Sequence, residues 1–247
     1  LNNAIYRSGH LQNIITIDES VLESTDVIFG PSSVLYGSDA IGGIINMSTK
    51  RLYFSNTPKI ETSFFSRYAS AYNGISSHQS FLYESKKFSI FNAFSLKDYG
   101  DVKMGERRSH GYNNWGLMHF YVNEEGDVVM NENPNIQKNT GFQQLDIINK
   151  MLFKINNEWR VTSNIQYSTS SNVPRFDKLN DLSDEICEIC GNNLPKYLYW
   201  YYGPQKRFFS SLSVLGLQNN YLFDKSEFIL AYQQVTESRN QQKTTED

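Results

Sequence analysis

Long apolar runs are missing from this sequence. None approaches the ~18 to 20 consecutive residues that a membrane-spanning helix requires, so a membrane-embedded form would have to be a barrel. Positive charge is not in excess either: 23 Lys and Arg face 26 Asp and Glu, a net −3, which leaves no basic footprint for a nucleic-acid backbone. Cysteines number two, Cys187 and Cys190, a lone CxxC with no second pair and no histidine nearby. That argues against a structural zinc site, and no thioredoxin-like βαβ pattern surrounds the pair; outside the cytoplasm it reads as a small disulfide pinning segment 171–204. Aliphatic residues are sparse, whereas 16 Tyr, 16 Phe and 3 Trp bring aromatics to 14%. Ser and Asn supply about a fifth of the chain. This mixture suits exposed strands and loops and argues against an all-α fold. Neither Met nor a signal peptide opens the chain at Leu1, and polar residues fill 241–247. The expectation is an internal piece of something longer.

The character of the sequence changes near residue 50. Before it, short β-type runs (Ile14 to Ile17, Asp26 to Phe29, Gly43 to Met47) alternate with brief helical candidates, one capped by Asp18 ahead of Glu19 to Glu23 and one at Ser32 to Tyr36 just after Pro31. Beyond it come long segments of period-2 alternation at about 58–71, 76–85, 88–97, 144–155, 158–169, 206–219 and 225–238. In 158–169, Trp159, Val161, Ser163, Ile165 and Tyr167 share one face, and Arg160, Thr162, Asn164, Gln166 and Ser168 the other. The preceding segment sets Leu145, Ile147, Met151, Phe153 and Ile155 against Gln144, Asp146, Lys150 and Lys154. Only Asn156, Asn157 and Glu158 join the two, which makes a hairpin.

Connections alternate in length. Lys86-Lys87 and Tyr221 to Asp224 are tight, while 98–140 and 171–204 are long; long loops in compact domains usually carry function. Short turns at one end, long loops at the other and strands of about ten residues are the pattern of an outer-membrane barrel. Trp159 and Tyr167, eight residues apart, would stand roughly 20 Å apart along the membrane normal at ~3.3 Å per residue and a tilt of about 40°. A soluble β-sandwich shares the alternation, but strand length and loop asymmetry favour the barrel. Phe64, Tyr68, Phe94 and Tyr232 then read as lipid-facing belt or strand packing. Seven strands cannot close an antiparallel barrel without leaving bare edges in lipid, so further strands are expected after Asp247.

The sharpest segment runs from Asp26 to Lys50, with Gly30, Pro31, Tyr36, Gly37, Asp39, Gly42 and Gly43 as its punctuation. Gly37 and Gly42 have phosphate-loop spacing, but Gly43 and Ile44 stand where Lys and Ser or Thr are needed. Ser32 and Ser33 lack the flanking glycines of a nucleophile elbow. The glycines suit a packed turn between two strands.

This stretch closely resembles the C-terminal signature of the plug domain in TonB-dependent outer-membrane receptors: a strand, the Gly-Pro turn, Leu35-Tyr36-Gly37-Ser38, and Ala40-Ile41-Gly42-Gly43 leading into the barrel. The resemblance implies a mainly β fold, an incomplete antiparallel transmembrane β-barrel preceded by part of a small α/β plug domain, with the plug in 1–50 and the first barrel strands and extracellular loops in 51–247. A TonB box and the first half of the plug would precede Leu1. It further implies an outer-membrane protein that is not an enzyme and has no resident cofactor. Such a receptor imports a scarce nutrient, most often an iron complex, haem or a ferric siderophore, with the TonB complex, membrane lipid and the iron ligand or its carrier protein as partners. A passive or adhesive barrel is the competing reading, against which the plug segment argues.

Asn3 to Asn13 resembles the apical, ligand-facing plug loop, which nominates Tyr6, Arg7 and His10. His110, Tyr112, Trp115 and His119 fall in the long 98–140 loop; His or Tyr can ligate haem iron, and aromatics can stack on porphyrin. Arg7, Arg107 and Arg108 could attract an anionic siderophore. Exposed histidines and arginines in polar loops are the plainer reading of the same residues. Pro174 to Asp177 and Trp200 to Gln205 look like loop segments of the haem and haemoglobin-type branch, and His78 is expected at a strand start.

Overall fold

The computed structural model describes residues 16–30, 35, 43–188, 191–217 and 223–244. At its start Asp18 caps a helix as anticipated, Oδ1 accepting the Ser20 amide at 3.2 Å. Only one 3-10 turn follows, Glu19–Val21, and the chain extends at Leu22. A first turn costs backbone entropy that only further turns offset. Here the next residues pair as a strand instead: β1 (Leu22–Phe29) runs antiparallel to β2 (Gly43–Thr49), with Phe29 opposite Gly43. Gly43 has φ +141°, and a Cβ there would stand 2.9 Å from the Ile28 carbonyl oxygen, so this glycine of the motif is sterically required. Pro31, Tyr36, Gly37, Asp39 and Gly42, with the helical candidate of which only Leu35 is described, lie outside the described residues.

Every long alternating segment is a strand: β3 (Lys59–Ala69), β4 (Gly74–Glu84), β5 (Phe88–Tyr99), then, after short loop strands β6 (Val102–Lys103), β7 (Phe120–Val122), β8 (Val128–Met130) and β9 (Ile136–Gln137), β10 (Phe142–Lys154) and β11 (Trp159–Ser170). The second long loop holds β12 (Val173–Pro174), α1 (Phe176–Leu179), β13 (Leu182–Ile186), β14 (Asn193–Pro195) and β15 (Tyr197–Tyr202). It leads to β16 (Lys206–Leu217), β17 (Lys225–Thr236) and β18 (Arg239–Lys243). Seven strands form one antiparallel sheet in the order β17-β16-β11-β10-β5-β4-β3. Each has 11 to 13 residues, enough at ~3.3 Å per residue and a tilt of about 40° to cross the ~25 Å apolar band of an outer membrane.

The sheet is inverted relative to a soluble one. Phe64, Tyr68, Phe94, Leu96, Ile147, Met151, Phe153, Ile165, Leu212 and Tyr232 are exposed, while Ser76, His78, Ser95, Lys97, Gln144, Asp146, Ser168 and Arg207 on the opposite face are buried. Alternation sends each set to its own side, and only a hydrocarbon solvent makes the apolar set the outer one. Polar pairs interrupt the outer face, Ser66 with Ser77 at 3.0 Å among them. Asn149, opposite Asn92 in the ladder, donates through Nδ2 to Asn92 Oδ1 at 2.6 Å.

A small apolar cluster of Val21, Leu82, Phe91, Ala93 and Ile148, with Leu52 packed on it, presses the N-terminal turn to the inner face. Fully burying such side chains is worth about 1.5–3 kcal/mol each. Turns are short at one end, where Asn156 Oδ1 accepts the Glu158 and Trp159 amides at 2.8 Å each. At the other end the two long connections are knit rather than irregular. Asn131 Nδ2 donates to the Met118 and Ile136 carbonyls at 2.9 Å each, and Gln137 Nε2 to Gly116 at 2.7 Å. The amide-rich composition that marked these stretches as loops is what gives them internal structure. His78 is not at a strand start: it is the fifth residue of β4 and is buried.

Candidate functional site

Two places gather chemistry-bearing side chains: the junction between the N-terminal turn and the inner wall, and the long loops. At the junction Lys97 Nζ lies 3.1 Å from Asp18 Oδ1, 2.5 Å from Glu19 Oε2 and 3.6 Å from Asp146 Oδ2. Ser95 Oγ donates to Asp18 Oδ2 at 2.6 Å, and His78 Nδ1 stands 2.6 Å from the same hydroxyl. Since that hydroxyl gives its hydrogen to Asp18, it accepts from His78, and Nδ1 carries the proton. Burial opposes ionisation of Asp18, but the Ser95 hydrogen bond, the Lys97 charge and the Ser20 amide together hold its carboxyl below the ordinary value.

The wall reaches the N-terminal unit at two further points. Lys150 Nζ donates to the Lys50 carbonyl at 2.5 Å and to Thr49 Oγ1 at 3.1 Å. Arg207 Nη1 donates to Gln166 Oε1 at 3.0 Å and to the Thr16 carbonyl at 3.5 Å, while its buried Nε has no partner among the described residues. The described residues of segment 16–50 are therefore held to the wall by ionic and hydrogen-bonding contacts beside the apolar cluster on Val21. Such contacts add little net stability over apolar packing, yet they fix position and can be exchanged for water.

In the first long loop His110, Tyr112 and Trp115 come together. The His110 ring centroid is 5.7 Å from that of Tyr112 and 5.7 Å, edge-on, from that of Trp115, and His110 Nδ1 accepts the Tyr112 amide at 3.1 Å. Tyr112 and Trp115 are 72% and 62% exposed, so the cluster presents its aromatic surface to solvent. Arg108 organises this tip, donating to the Trp115 carbonyl at 3.1 Å and to Asn135 Oδ1 at 2.7 Å. His119 stands apart: it is half-buried, and its carbonyl is taken by the Asn131 amide at 2.8 Å. Tyr6, Arg7 and His10 lie outside the described residues, as does Cys190, so the Cys187–Cys190 pairing has no structural description.

The two loop segments singled out by sequence meet. The buried Arg175 guanidinium grips Asp177 with Nε at 2.7 Å and Nη2 at 2.5 Å, donates to the Tyr202 hydroxyl at 3.1 Å, and stacks 4.6 Å over Trp200. The Arg175 hydrogen bond holds the Asp177 carboxyl below its ordinary range. Arg239 covers Trp200 as well, at 4.7 Å. Sequence reasoning missed Arg239 and strand β18, which pairs with β15. It also missed the junction residues Asp146 and Arg207, whose only signal was a charge on the polar face of an alternating strand.

No family model matches the chain. A ferrioxamine receptor of Yersinia enterocolitica is 44% identical over 48 residues, and a ferrichrome outer membrane transporter/phage receptor of Escherichia coli (strain K12) is 41% identical over 49 residues. These spans are 19% and 20% of this chain and 7% of each relative. Among solved structures, a variant of the ferric enterobactin receptor from Pseudomonas aeruginosa, in complex with enterobactin, shares the fold with a TM-score of 0.52 at 17% identity, over 91% of this chain and 29% of that one. The chain thus spans less than a third of the structure it resembles. Its fold is that of part of an outer-membrane receptor barrel, and the proteins it matches are receptors and a transporter, not enzymes.

Proposed function

We propose that the chain is part of a TonB-dependent receptor that imports an iron complex across the outer membrane, with a ferric siderophore as cargo in preference to haem. The observation that carries this reading is the Lys97 junction: a small N-terminal unit is bound by buried polar contacts to the inner face of a sheet whose outer face is apolar. A passive pore has no use for an inserted unit held so. In this reading 1–50 is the C-terminal part of a plug and 51–247 the first barrel strands. The exposed His110, Tyr112 and Trp115 cluster, with Tyr6, Arg7 and His10 on the apical plug loop, makes the first contact with cargo, and His119 has a supporting place in the loop. The relatives support the choice of cargo, since their names carry ferrioxamine, ferrichrome and ferric enterobactin.

Pulling by TonB would exchange the contacts of Asp18, Glu19 and Lys50 for water, moving the plug while the wall keeps its strands. Growth of a siderophore-deficient host on a ferric siderophore or on haem as sole iron source, with and without the energy-transducing partner, tests the reading. Growth on the siderophore that requires the partner is expected; growth unchanged without the partner rejects it.

A further inference from the structure

A cavity of 430 Å³ opens between the two long loops, at the small end of the ~300–1,000 Å³ range of small-molecule sites. It is distinct from the His110 cluster, none of whose residues line it. Its aromatic surface is Tyr199 and Tyr201, which sit two apart on β15 and so share a face, with ring centroids 5.5 Å apart. Around them stand polar groups with unused hydrogen-bonding capacity. Among the described residues the side chains of Asn172, Gln242 and Glu124 and both tyrosine hydroxyls make no hydrogen bond within the protein, while Asn139, fixed through its Nδ2 to the Val122 carbonyl at 2.6 Å, keeps its amide oxygen open.

The chemistry of this lining selects its ligand. Glu124 is the only charged residue among the described residues of the lining, and Arg175 and Arg239 are stacked on Trp200 rather than set in the lining, so an anionic ferric complex or a propionate-bearing porphyrin finds no counter-ion in the lining and meets one repulsive carboxylate. Amides both donate and accept, a carboxylate accepts, and phenols do both. A ligand whose groups each do both, presented around a ring with an apolar C–H face, satisfies the lining and covers the aromatic surface together. We propose that this cavity binds a neutral saccharide of one or two rings, stacked on Tyr199 and Tyr201 and hydrogen-bonded by Asn172, Glu124 and Gln242. Free sugars and the uncharged outer hexoses of lipopolysaccharide share this chemistry.

Saturation-transfer NMR on the full-length protein in a zwitterionic detergent, whose headgroup carries no sugar, tests the site with glucose, galactose, maltose and the uncharged outer-core oligosaccharide of lipopolysaccharide as probes. Transfer to ring C–H protons is expected, weakened about tenfold or more by Tyr199→Ala and retained by Tyr199→Phe. Asn172→Leu, in an exposed position, gives a second variant, and heat-modifiable gel mobility verifies the barrel in each. Transfer to maltose or a hexose identifies free sugar as the source, and transfer to the core oligosaccharide alone identifies the membrane. No transfer to any probe, or transfer unchanged in both Tyr199→Ala and Asn172→Leu, overturns the proposal.

Discussion

Lys97 on the wall and Asp18 at the cap of the N-terminal turn form a buried ion pair of 3.1 Å, and the same Asp18 carboxylate closes the chain to Ser95 and His78. One residue therefore both starts a helical turn and anchors it to a strand 77 positions away.

Asp18→Asn should loosen the turn by about 1–3 kcal/mol, because it leaves Lys97 and Ser95 with a weakened buried partner. Hydrogen exchange over residues 16–22 measures it. The sign of the pH effect follows from the carboxyl being held below its ordinary value: the contribution is complete above the usual carboxylate range and is lost as pH falls through the lower folded value. The protection factors of this segment, exchange rates corrected for their intrinsic pH dependence, should accordingly stay flat from pH 8 to 5 and fall only in stronger acid.

On β11, Ile165 faces out and Asn164 faces the interior. Ile165→Arg should cost about 2–4 kcal/mol near mid-bilayer, and Asn164→Arg much less. A refolding titration into vesicles that gave equal penalties would contradict the orientation of the sheet.

The Asn92–Asn149 pair on the outer face offers a double-mutant cycle. Asn149→Leu alone strands the Asn92 amide among apolar neighbours and should destabilise by about 1–2 kcal/mol. Replacing both by Leu should restore or exceed the parent stability in the same titration.

Trp115→Ala and Tyr112→Ala in the first loop should each weaken cargo binding by about tenfold with barrel stability unchanged, since both side chains are solvent-exposed. Equilibrium binding of the ferric siderophore to detergent-solubilised full-length protein provides the readout.

Arg175→Lys is not conservative. Lysine cannot span both Asp177 oxygens, reach the Tyr202 hydroxyl and cover Trp200 at once. Protease nicking within 171–205 should accelerate severalfold while the sheet stays intact.

The sheet was legible because a wall with lipid on one side forces a period-2 pattern on every strand. Each anticipated segment is a strand to within about two residues at most ends. The helix expected at Asp18 shortened to one turn because the pairing of Leu22 with Thr49 outcompetes local propensity. His78 was misplaced for a related reason: a polar residue amid Ser and Gln resembles a strand boundary, whereas here the polar side is the buried one. At the sites, nearness in sequence helped where the contacts are local. His110, Tyr112 and Trp115 cluster within six residues, but His119 is separated from them by the turn that leads into β7. The junction was not legible, since Asp18, Lys97, Asp146 and Arg207 are joined only by strand order, and no spacing rule connects them.

Trp200 lies between two guanidinium groups, Arg175 from the loop it belongs to and Arg239 from beyond the following hairpin. Strand β15 is likewise shared, flanked by β12 on one edge and β18 on the other, and Asn180 reaches across to Gln137 in the first loop at 2.7 Å. The two long connections and β18 thus share strands and side-chain contacts, like the ribs of one fan, and none of them can shift without breaking or carrying along its contacts with the others.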